Sequence, residues 1–294
     1  RTNCGLNRDN HMRPAQECQK LVTRAKQYPF GYPADSYVFV EGDVWKLCEF
    51  GKTSNIESAL VELSGSLQTL RDALTRRGID PDILRLPRKA VLASGSNASP
   101  IRLREKFPAN SDQTLIPVVK YQVPDLVSVF SAKFASYGSI TATLQHAPNI
   151  GSEIFVTYLT QTQLARMHKT EAIGDEYNFV QISDTPIYRD GERCAIGPVY
   201  AYLSRKGILS IGKRQFTLTE TKGPSKSFSM KSQEQVLHMA WELLESKDSL
   251  NTFICQNITD EGIRRYRNSL LQEYSTPFRN ANIEVLNGPV ELLF

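Results

Sequence analysis

Short apolar segments separated by turn residues dominate the middle of the chain. They have the length and composition of β-strands and are bounded by Gly, Pro and Asp. The predicted strands span 89–93, 115–121, 126–131, 140–145, 152–159, 177–183 and 198–204. Two short amphipathic stretches, 99–107 and 161–169, are predicted helices. Many short strands with few helices favour a mixed β-barrel of α+β class with flanking helices over a doubly wound parallel sheet.

Helical periodicity appears on both sides of this strand-rich region. On the N-terminal side, apolar positions recur every three or four residues at Ile56, Leu60, Leu63, Leu67, Leu70 and Leu74. Ser54 and Glu57 form a capping box ahead of them, so the spacing predicts an amphipathic helix over 54–77. Its leucine seam packs on its own domain in one interpretation and forms a homodimer contact in the other. On the C-terminal side, one-sided apolar positions predict helices over 232–245 and 260–274.

These patterns divide the chain into three parts. The predicted parts are an N-terminal extension over 1–88, a barrel core over 89–222 and a C-terminal helical extension over 223–294. The extension begins with a polar lead-in, 1–36, that is expected to be loosely structured, followed by strands over 37–42 and 44–48. The Gly- and Pro-containing segment 221–226 is the predicted linker at the end of the core.

Composition indicates a soluble globular protein. The 294 residues are 40% hydrophobic and 22% charged, which is ordinary for this class. The 35 Lys and Arg against 31 Asp and Glu give a net charge of +4. These basic residues are scattered, so no nucleic-acid partner is expected. No apolar run approaches the roughly 20 residues of a membrane helix, so no membrane association is expected either.

Cysteine and histidine spacing argues against disulfide and metal chemistry. The five Cys and four His residues include no Cys-x-x-Cys pair and no metal-ligand spacing. An odd number of widely spaced cysteines argues against a disulfide framework and a structural zinc site. We therefore expect a reduced, cytoplasmic location, and neither a metal nor a cofactor.

The loop Ser94-Gly95-Ser96-Asn97 is the first candidate for chemistry. It lies between the predicted strand 89–93 and the start of a helix. Such a turn can present free backbone N–H groups to a carboxylate or a developing oxyanion. A structural interpretation is compatible with this: Gly95 would supply a positive φ, and Asn97 would cap the helix.

Glu171 is the second candidate. It follows the predicted helix 161–169, with His168 three residues before it on the same helical face. The strand at Tyr177 comes next, so we expect a corner in which Glu171 is partly desolvated. Desolvation would raise the pKa of its carboxyl towards that of a useful acid or base.

The order of these segments resembles the γ-glutamylcyclotransferase-like family over roughly residues 89–183. The family carries a Gly-Ser-Asn loop after its first barrel strand, matched here by residues 95–97, and a single Glu in a Leu-Asp-x-x-Glu-like segment, matched by Glu171. Arg102-Leu103 after the loop, the strands near 139–144 and 153–160, and an aromatic residue opening the next strand fit the same series. The aromatic residue that the family has before Gly95 is Ser94 here.

This resemblance implies a barrel fold and a reaction. In that family the α-amino nitrogen of a γ-glutamyl amide attacks its own side-chain carbonyl, which releases 5-oxoproline and an amine. Glu171 would act as the general acid and base, and no metal or cofactor would take part. The substrate, a small molecule or peptide with a γ-glutamyl-like group, would be bound by Ser94, the backbone of residues 95–98 including Ala98, and Tyr177.

Two alternatives keep the fold and change the function. A hydrolase or acyltransferase would use the same site on another amide or ester, although Ser96 lacks a Gly-x-Ser-x-Gly context and an evident His base. A non-catalytic binding or scaffold protein would use helix 54–77 as its partner surface. The product distinguishes the three, since only the cyclotransferase releases 5-oxoproline from a γ-glutamyl substrate.

Overall fold

The computed structural model describes residues 9–51, 56–109, 114–221, 228–279 and 282–294, and in these ranges strands outnumber helices. The N-terminal part contains α1 (Asp9–Lys26), β1 (Tyr37–Val40), β2 (Asp43–Glu49), a 3-10 turn (Ile56–Ser58), β3 (Leu60–Leu63), β4 (Ser66–Thr69), α2 (Leu70–Arg76) and a 3-10 turn (Pro81–Arg85). The central part contains β5 (Lys89–Ala93), a 3-10 turn (Ser96–Ala98), α3 (Pro100–Lys106), β6 (Leu115–Val123), β7 (Leu126–Phe134), β8 (Ile140–His146), β9 (Ser152–Leu159), α4 (Gln161–Glu171) and β10 (Tyr177–Ile182). The remainder contains β11 (Tyr188–Arg189), β12 (Glu192–Arg193), β13 (Val199–Ser204), β14 (Ile208–Ile211), β15 (Arg214–Leu218), β16 (Ser229–Lys231), α5 (Gln233–Leu243), α6 (Leu250–Thr259), α7 (Glu261–Leu271), β17 (Ser275–Thr276) and β18 (Ile283–Val285), with 3-10 turns at Gln272–Tyr274 and Val290–Leu293.

The predicted elements of the central region are present. Strand β5 has the predicted bounds, and the other predicted strands and both short helices differ from the observed ones by a few residues at most. The same holds for β1 and β2 and for the helices now seen as α5 and α7. Helix α6 and the strands after β13 were not predicted. The fold therefore has the α+β class that the pattern indicated.

Two sheets organise the described strands. The larger runs in the order β18-β10-β13-β5-β9-β6-β1-β2-β3-β4, with β11 and β12 attached beside β6. The smaller runs β16-β15-β14-β7-β8, with β17 beside β14. Among the described strands the larger sheet ends at β18 and β4, so these strands show a mixed sheet and not a closed barrel. The N-terminal strands and β18 extend the sheet that contains β5.

Both faces of the larger sheet are buried. Val38 and Val40 of β1 pack on one face, whereas Tyr37 and Phe39 pack on the other, as the two-residue repeat of a strand requires. Helices α1, α5, α6 and α7 pack together on the smaller sheet, where Phe253 and other apolar side chains are fully buried. The N- and C-terminal segments thus share one core.

The prediction of a single helix over 54–77 is wrong. Ser54 lies outside the described residues, and residues 60–69 form the β3–β4 hairpin, so that only Leu70–Arg76 are helical. The turn of the hairpin is Ser64-Gly65, with φ of 51° and 76°, the left-handed conformation that two-residue hairpin turns require. The helix begins only where Thr69 caps it by accepting the Asp72 N–H at 3.1 Å.

Two further expectations for the N-terminal region and the cysteines are corrected. The lead-in 1–36 is not loose throughout, because α1 occupies half of it and buries Val22 and Ala25. Cys18 of α1 and Cys255 of α6 form a disulfide with Cα atoms 6.0 Å apart. Their 237-residue separation in sequence concealed a pair that helix packing brings together. Apart from Thr221, the predicted linker 221–226 lies outside the described residues.

The described ranges contain neither a membrane-spanning helix nor a metal-binding cluster. No helix there is long and apolar enough to cross a membrane. No cluster of three or more His, Cys, Asp or Glu side chains there is arranged to hold a metal ion.

Candidate active site

A cavity of about 290 Å³ lies where the two sheets meet α4 and α7. Its walls include the loop after β5, the end of α4, the starts of β8 and β10, and one face of α7. Of the residues proposed from the sequence, the structure brings Ser94, Gly95, Ser96, Asn97, Glu171 and Tyr177 together on these walls. A larger concavity of about 520 Å³ lies between Phe50, Tyr158 and Tyr200, but the acid that the sequence singled out is in the smaller one.

The centre of the site is a buried ion pair. The Lys106 ammonium at the end of α3 donates to the Glu171 carboxylate at the end of α4. Lys106 also donates to Asn97 Oδ1 at 2.7 Å, while the Asn97 amide hydrogen-bonds to Glu171. The Met167 sulfur lies 3.2 Å from Lys106 Nζ. The Lys106 side chain is 3% exposed and that of Glu171 is 14% exposed, and of the two only Glu171 lines the cavity.

The pKa of Glu171 is lowered, which corrects the predicted increase. Burial alone would raise the pKa of this carboxyl, but the charge and hydrogen bond of Lys106, the Asn97 amide and the charge of Lys133 together lower it. The pKa of Lys106 is also lowered, because burial outweighs the attraction of Glu171. The carboxylate is therefore ionised at neutral pH, and proton uptake belongs to the pair rather than to one residue.

Tyr28 packs against the loop Ser94–Asn97, although it is distant from this loop in sequence. The Tyr28 hydroxyl accepts the Ala142 N–H at 2.8 Å and faces the Ser96 N–H. Gly95 has φ of −153° and ψ of −124°, so the predicted need for a positive φ is wrong. Glycine is needed for a different reason, since a methyl group at this position would overlap the Tyr28 oxygen and lie 2.8 Å from the Ala142 Cβ.

The predicted cradle of free N–H groups is therefore largely occupied. The Ser96 N–H faces the Tyr28 hydroxyl, and the Ala98 N–H donates to the Gly95 carbonyl at 3.2 Å. Ala98 is fully buried and does not line the cavity, because its carbonyl is held by Tyr37 at 2.6 Å. The predicted cap is also reassigned: Ser99, not Asn97, accepts the first N–H groups of α3.

Tyr177 is fixed by a chain of hydroxyl groups. Ser131 Oγ donates to the Thr141 carbonyl at 2.8 Å and lies 3.0 Å from Thr141 Oγ1. Because Ser131 has one proton, Thr141 donates to Ser131, and Tyr177, 2.8 Å from Thr141 Oγ1, donates to Thr141. The Tyr177 oxygen consequently offers only lone pairs to the cavity.

His168 acts on the site through Tyr202. His168 Nδ1 lies 2.8 Å from the Tyr202 hydroxyl, and Tyr202 lines the cavity while His168 does not. The pKa of His168 is lowered by burial, in spite of the charge of Glu171. A neutral His168 orients Tyr202 rather than adding a charge beside the acid.

The cavity lining also contains cationic groups, two of which, Lys133 and Arg265, are paired with Glu176 and Glu261. Lys133 pairs with Glu176 at 2.6 Å and lies 4.4 Å from the centre of the Tyr177 ring. From α7, Arg264 and Asn268 face the same cavity, and Arg264 donates to the Asn257 carbonyl at 2.8 Å. An anionic group of a ligand would be favoured beside these cationic groups.

Sequence reasoning missed Lys106, Tyr28 and the α7 wall. One signal for Lys106 was present: it lies three residues after Leu103, on the apolar face of a predicted helix, where an unpaired charge would be costly. Tyr28 and Arg264 carry no comparable signal, because they are distant in sequence from both predicted site segments.

Comparisons with known proteins identify no family. No protein-family profile matches the chain, and no curated protein sequence matches it. A solved structure titled gamma-glutamyl cyclotransferase is 12% identical with a TM-score of 0.32, and the match covers 70% of this chain and 97% of that one. An ensemble refinement of the crystal structure of an uncharacterized protein from Homo sapiens gives 12% identity, a TM-score of 0.33 and the same coverage. These values assign neither a family nor an activity to the chain.

Proposed function

We propose that the protein is a cyclotransferase-like enzyme that cleaves a γ-glutamyl amide and releases 5-oxoproline and an amine. The observation that carries this proposal is the buried Lys106–Glu171 pair, held by Asn97 in a cavity next to the Gly95 loop. The order of loop and acid is the one that the sequence resemblance implies, and the cavity is close in size to small-molecule sites.

The proton balance of the reaction suits a single ionised carboxylate. The α-ammonium must lose two protons to become the lactam nitrogen, and the leaving nitrogen must gain two to depart as an ammonium. Glu171 is unprotonated at neutral pH, so it can take the two protons from the attacking nitrogen one at a time and return each to the leaving nitrogen. The Lys106 ammonium and the Glu171 carboxylate form a neutral pair, and protonation of Glu171 gives this buried pair a charge of +1, which favours return of the proton to the leaving nitrogen. Ring closure is intramolecular, so the cavity has only to hold the folded conformer.

The cavity walls offer complementary polarity for the rest of the substrate. The Tyr177 oxygen presents lone pairs to the α-ammonium. Lys133 and Arg264 are placed to attract the α-carboxylate. Both interactions select a substrate that carries a free amino acid group rather than a simple amide.

The test is product release from γ-glutamyl amines by the purified protein. We expect 5-oxoproline from wild type and a loss on the order of 10²–10⁴-fold for Glu171→Gln, with the exposed Glu273→Gln variant as the matched control. Free glutamate instead of 5-oxoproline would indicate a hydrolase, and no product from any γ-glutamyl amine would contradict an enzymatic role of this kind.

A further inference from the structure

Tyr28 lies outside the region that resembles a known family, yet it reaches the centre of the cavity. It follows α1 by two residues and is 4% exposed. The Gly95 loop has room for its hydroxyl only because residue 95 lacks a side chain. The N-terminal segment is thus built into the site.

The proton of the Tyr28 hydroxyl is directed away from the N–H groups beside its oxygen. This oxygen accepts the Ala142 N–H at 2.8 Å and faces the Ser96 N–H. A phenol has one proton to donate, and among the described residues no hydrogen bond takes up the Tyr28 proton. Since Tyr28 lines the cavity, its O–H is a donor for a ligand. Burial, with the charges of Tyr177 and Glu171, raises the pKa of Tyr28 despite the two N–H donors, so the group stays protonated.

The cavity lining consequently contains both a donor and an acceptor. Tyr28 presents a proton, whereas Tyr177 has given its proton to Thr141 and presents lone pairs. The ring-closing reaction requires both, because the attacking nitrogen carries protons and the carbonyl oxygen gains negative charge. The N–H groups of Ser96 and Ala142 polarise the Tyr28 hydroxyl, and this hydroxyl would contact the substrate. The sequence had suggested that the backbone N–H groups of the loop contact the substrate directly.

On the basis of the proposed function, we infer that the Tyr28 hydroxyl donates a hydrogen bond to the carbonyl oxygen of the γ-glutamyl amide. When the α-nitrogen bonds to the carbonyl carbon, the C=O electron pair moves to oxygen, and Tyr28 stabilises that oxyanion without losing its proton. The pair returns when the C–N bond to the leaving amine breaks, as the leaving nitrogen takes its proton from Glu171. Tyr28 is in this sense a catalytic residue supplied by the N-terminal segment.

Two measurements on Tyr28→Phe test this assignment, with the exposed Tyr266→Phe as the matched control. In turnover of a γ-glutamyl amine, we expect kcat to fall about 10²–10³-fold, while KM changes only a few-fold. In calorimetric titration with 5-oxoproline, whose lactam carbonyl would accept the same bond, we expect about tenfold weaker binding by Tyr28→Phe. The Tyr266→Phe variant should match wild type in both.

The outcomes separate this inference from the proposed function. Absence of 5-oxoproline release by wild type would overturn the function, and the titration would still decide the role of Tyr28. Equal affinity of wild type and Tyr28→Phe for 5-oxoproline, or no measurable affinity of either, would overturn the donor assignment. A kcat for Tyr28→Phe within threefold of wild type, or above it, would overturn it as well. A near-ultraviolet circular dichroism spectrum of each variant confirms that the comparison is between folded proteins.

Discussion

Lys106 and Glu171 neutralise each other where either charge alone would be costly. Lys106 is almost fully buried, and its partners are Glu171, Asn97 and the Met167 sulfur. Breaking a buried pair by removing one partner is more damaging than replacing both, because the remaining charge keeps its desolvation penalty. Stability and catalysis can therefore be separated by comparing single and double variants.

We expect Glu171→Gln to lower the free energy of unfolding by about 3–5 kcal/mol at pH 7, since Lys106 is left without its counter-charge. The double variant Lys106→Met/Glu171→Gln should recover most of this loss, while 5-oxoproline release remains as low as in the single variant. Urea unfolding and product release on the same preparations check this. Recovery of turnover in the double variant would contradict the role of Glu171.

The lowered pKa of Glu171 also fixes the direction of a pH effect. The folded-state pKa lies below the ordinary value of 4.5, so the unfolded chain binds more protons between the two values. Stability therefore falls as the pH decreases from 4.5 through the folded pKa. We expect the double variant to lose less stability than wild type between neutral pH and pH 3, measured by urea unfolding. Equal losses would contradict the lowered pKa.

Position 95 requires glycine, but not for the positive φ that the sequence suggested. Its backbone is extended, and what it provides is space for the Tyr28 hydroxyl. We expect Gly95→Ala to displace Tyr28, reducing kcat about as much as Tyr28→Phe and destabilising the fold by about 1–3 kcal/mol. Ser96→Ala should cost far less in turnover, because the hydroxyl of Ser96 is not needed for the reaction. A folded but inactive Ser96→Ala enzyme would indicate a serine nucleophile instead.

At the scale of elements, local patterns predicted the strands well and the leucine-rich segment poorly. Strand β5 and the helices around the site were predictable because their apolar repeats and caps agree. In residues 60–74 the leucine spacing fits a helix, but Ser64-Gly65 forms the turn of a hairpin, and Leu67 is 58% exposed. The preference of Ser64-Gly65 for a turn decided the structure, because the leucine repeat was too short to specify a helix.

The Ser64-Gly65 turn of the hairpin leads to a prediction about stability. Gly65 has φ of 76° with open space around its Cα, so Gly65→Ala suffers from backbone strain and not from a clash. We expect a loss of about 1 kcal/mol in the free energy of unfolding, from the cost of the left-handed conformation. Ser64→Asn, which favours the same turn, should be neutral or stabilising. If residues 60–74 were one helix, Gly65→Ala would instead stabilise the protein, and urea unfolding distinguishes the two.

For the whole molecule, the sequence could indicate which segments carry chemistry but not which distant residues join them. Glu171 and residues 94–97 were predictable because each lies at the end of a recognisable element. Tyr28 enters the site through the packing of α1 on the C-terminal helices, and a contact between segments so far apart leaves no mark in local periodicity. The cysteine pair was missed for the same reason.

The Cys18–Cys255 disulfide provides the last prediction, because it ties α1, which precedes Tyr28, to α6, which precedes the α7 wall of the cavity. Non-reducing peptide mass spectrometry should find the two cysteines cross-linked. The Cys18→Ser/Cys255→Ser variant should lose about 2–4 kcal/mol of stability, because the unfolded chain is no longer constrained. We also expect a several-fold lower kcat, since the segment before Tyr28 is then no longer tied covalently to α6. Cys48→Ser, which removes a free thiol, is the matched control. A double variant as stable as this control, with no cross-linked peptide in wild type, would contradict the disulfide.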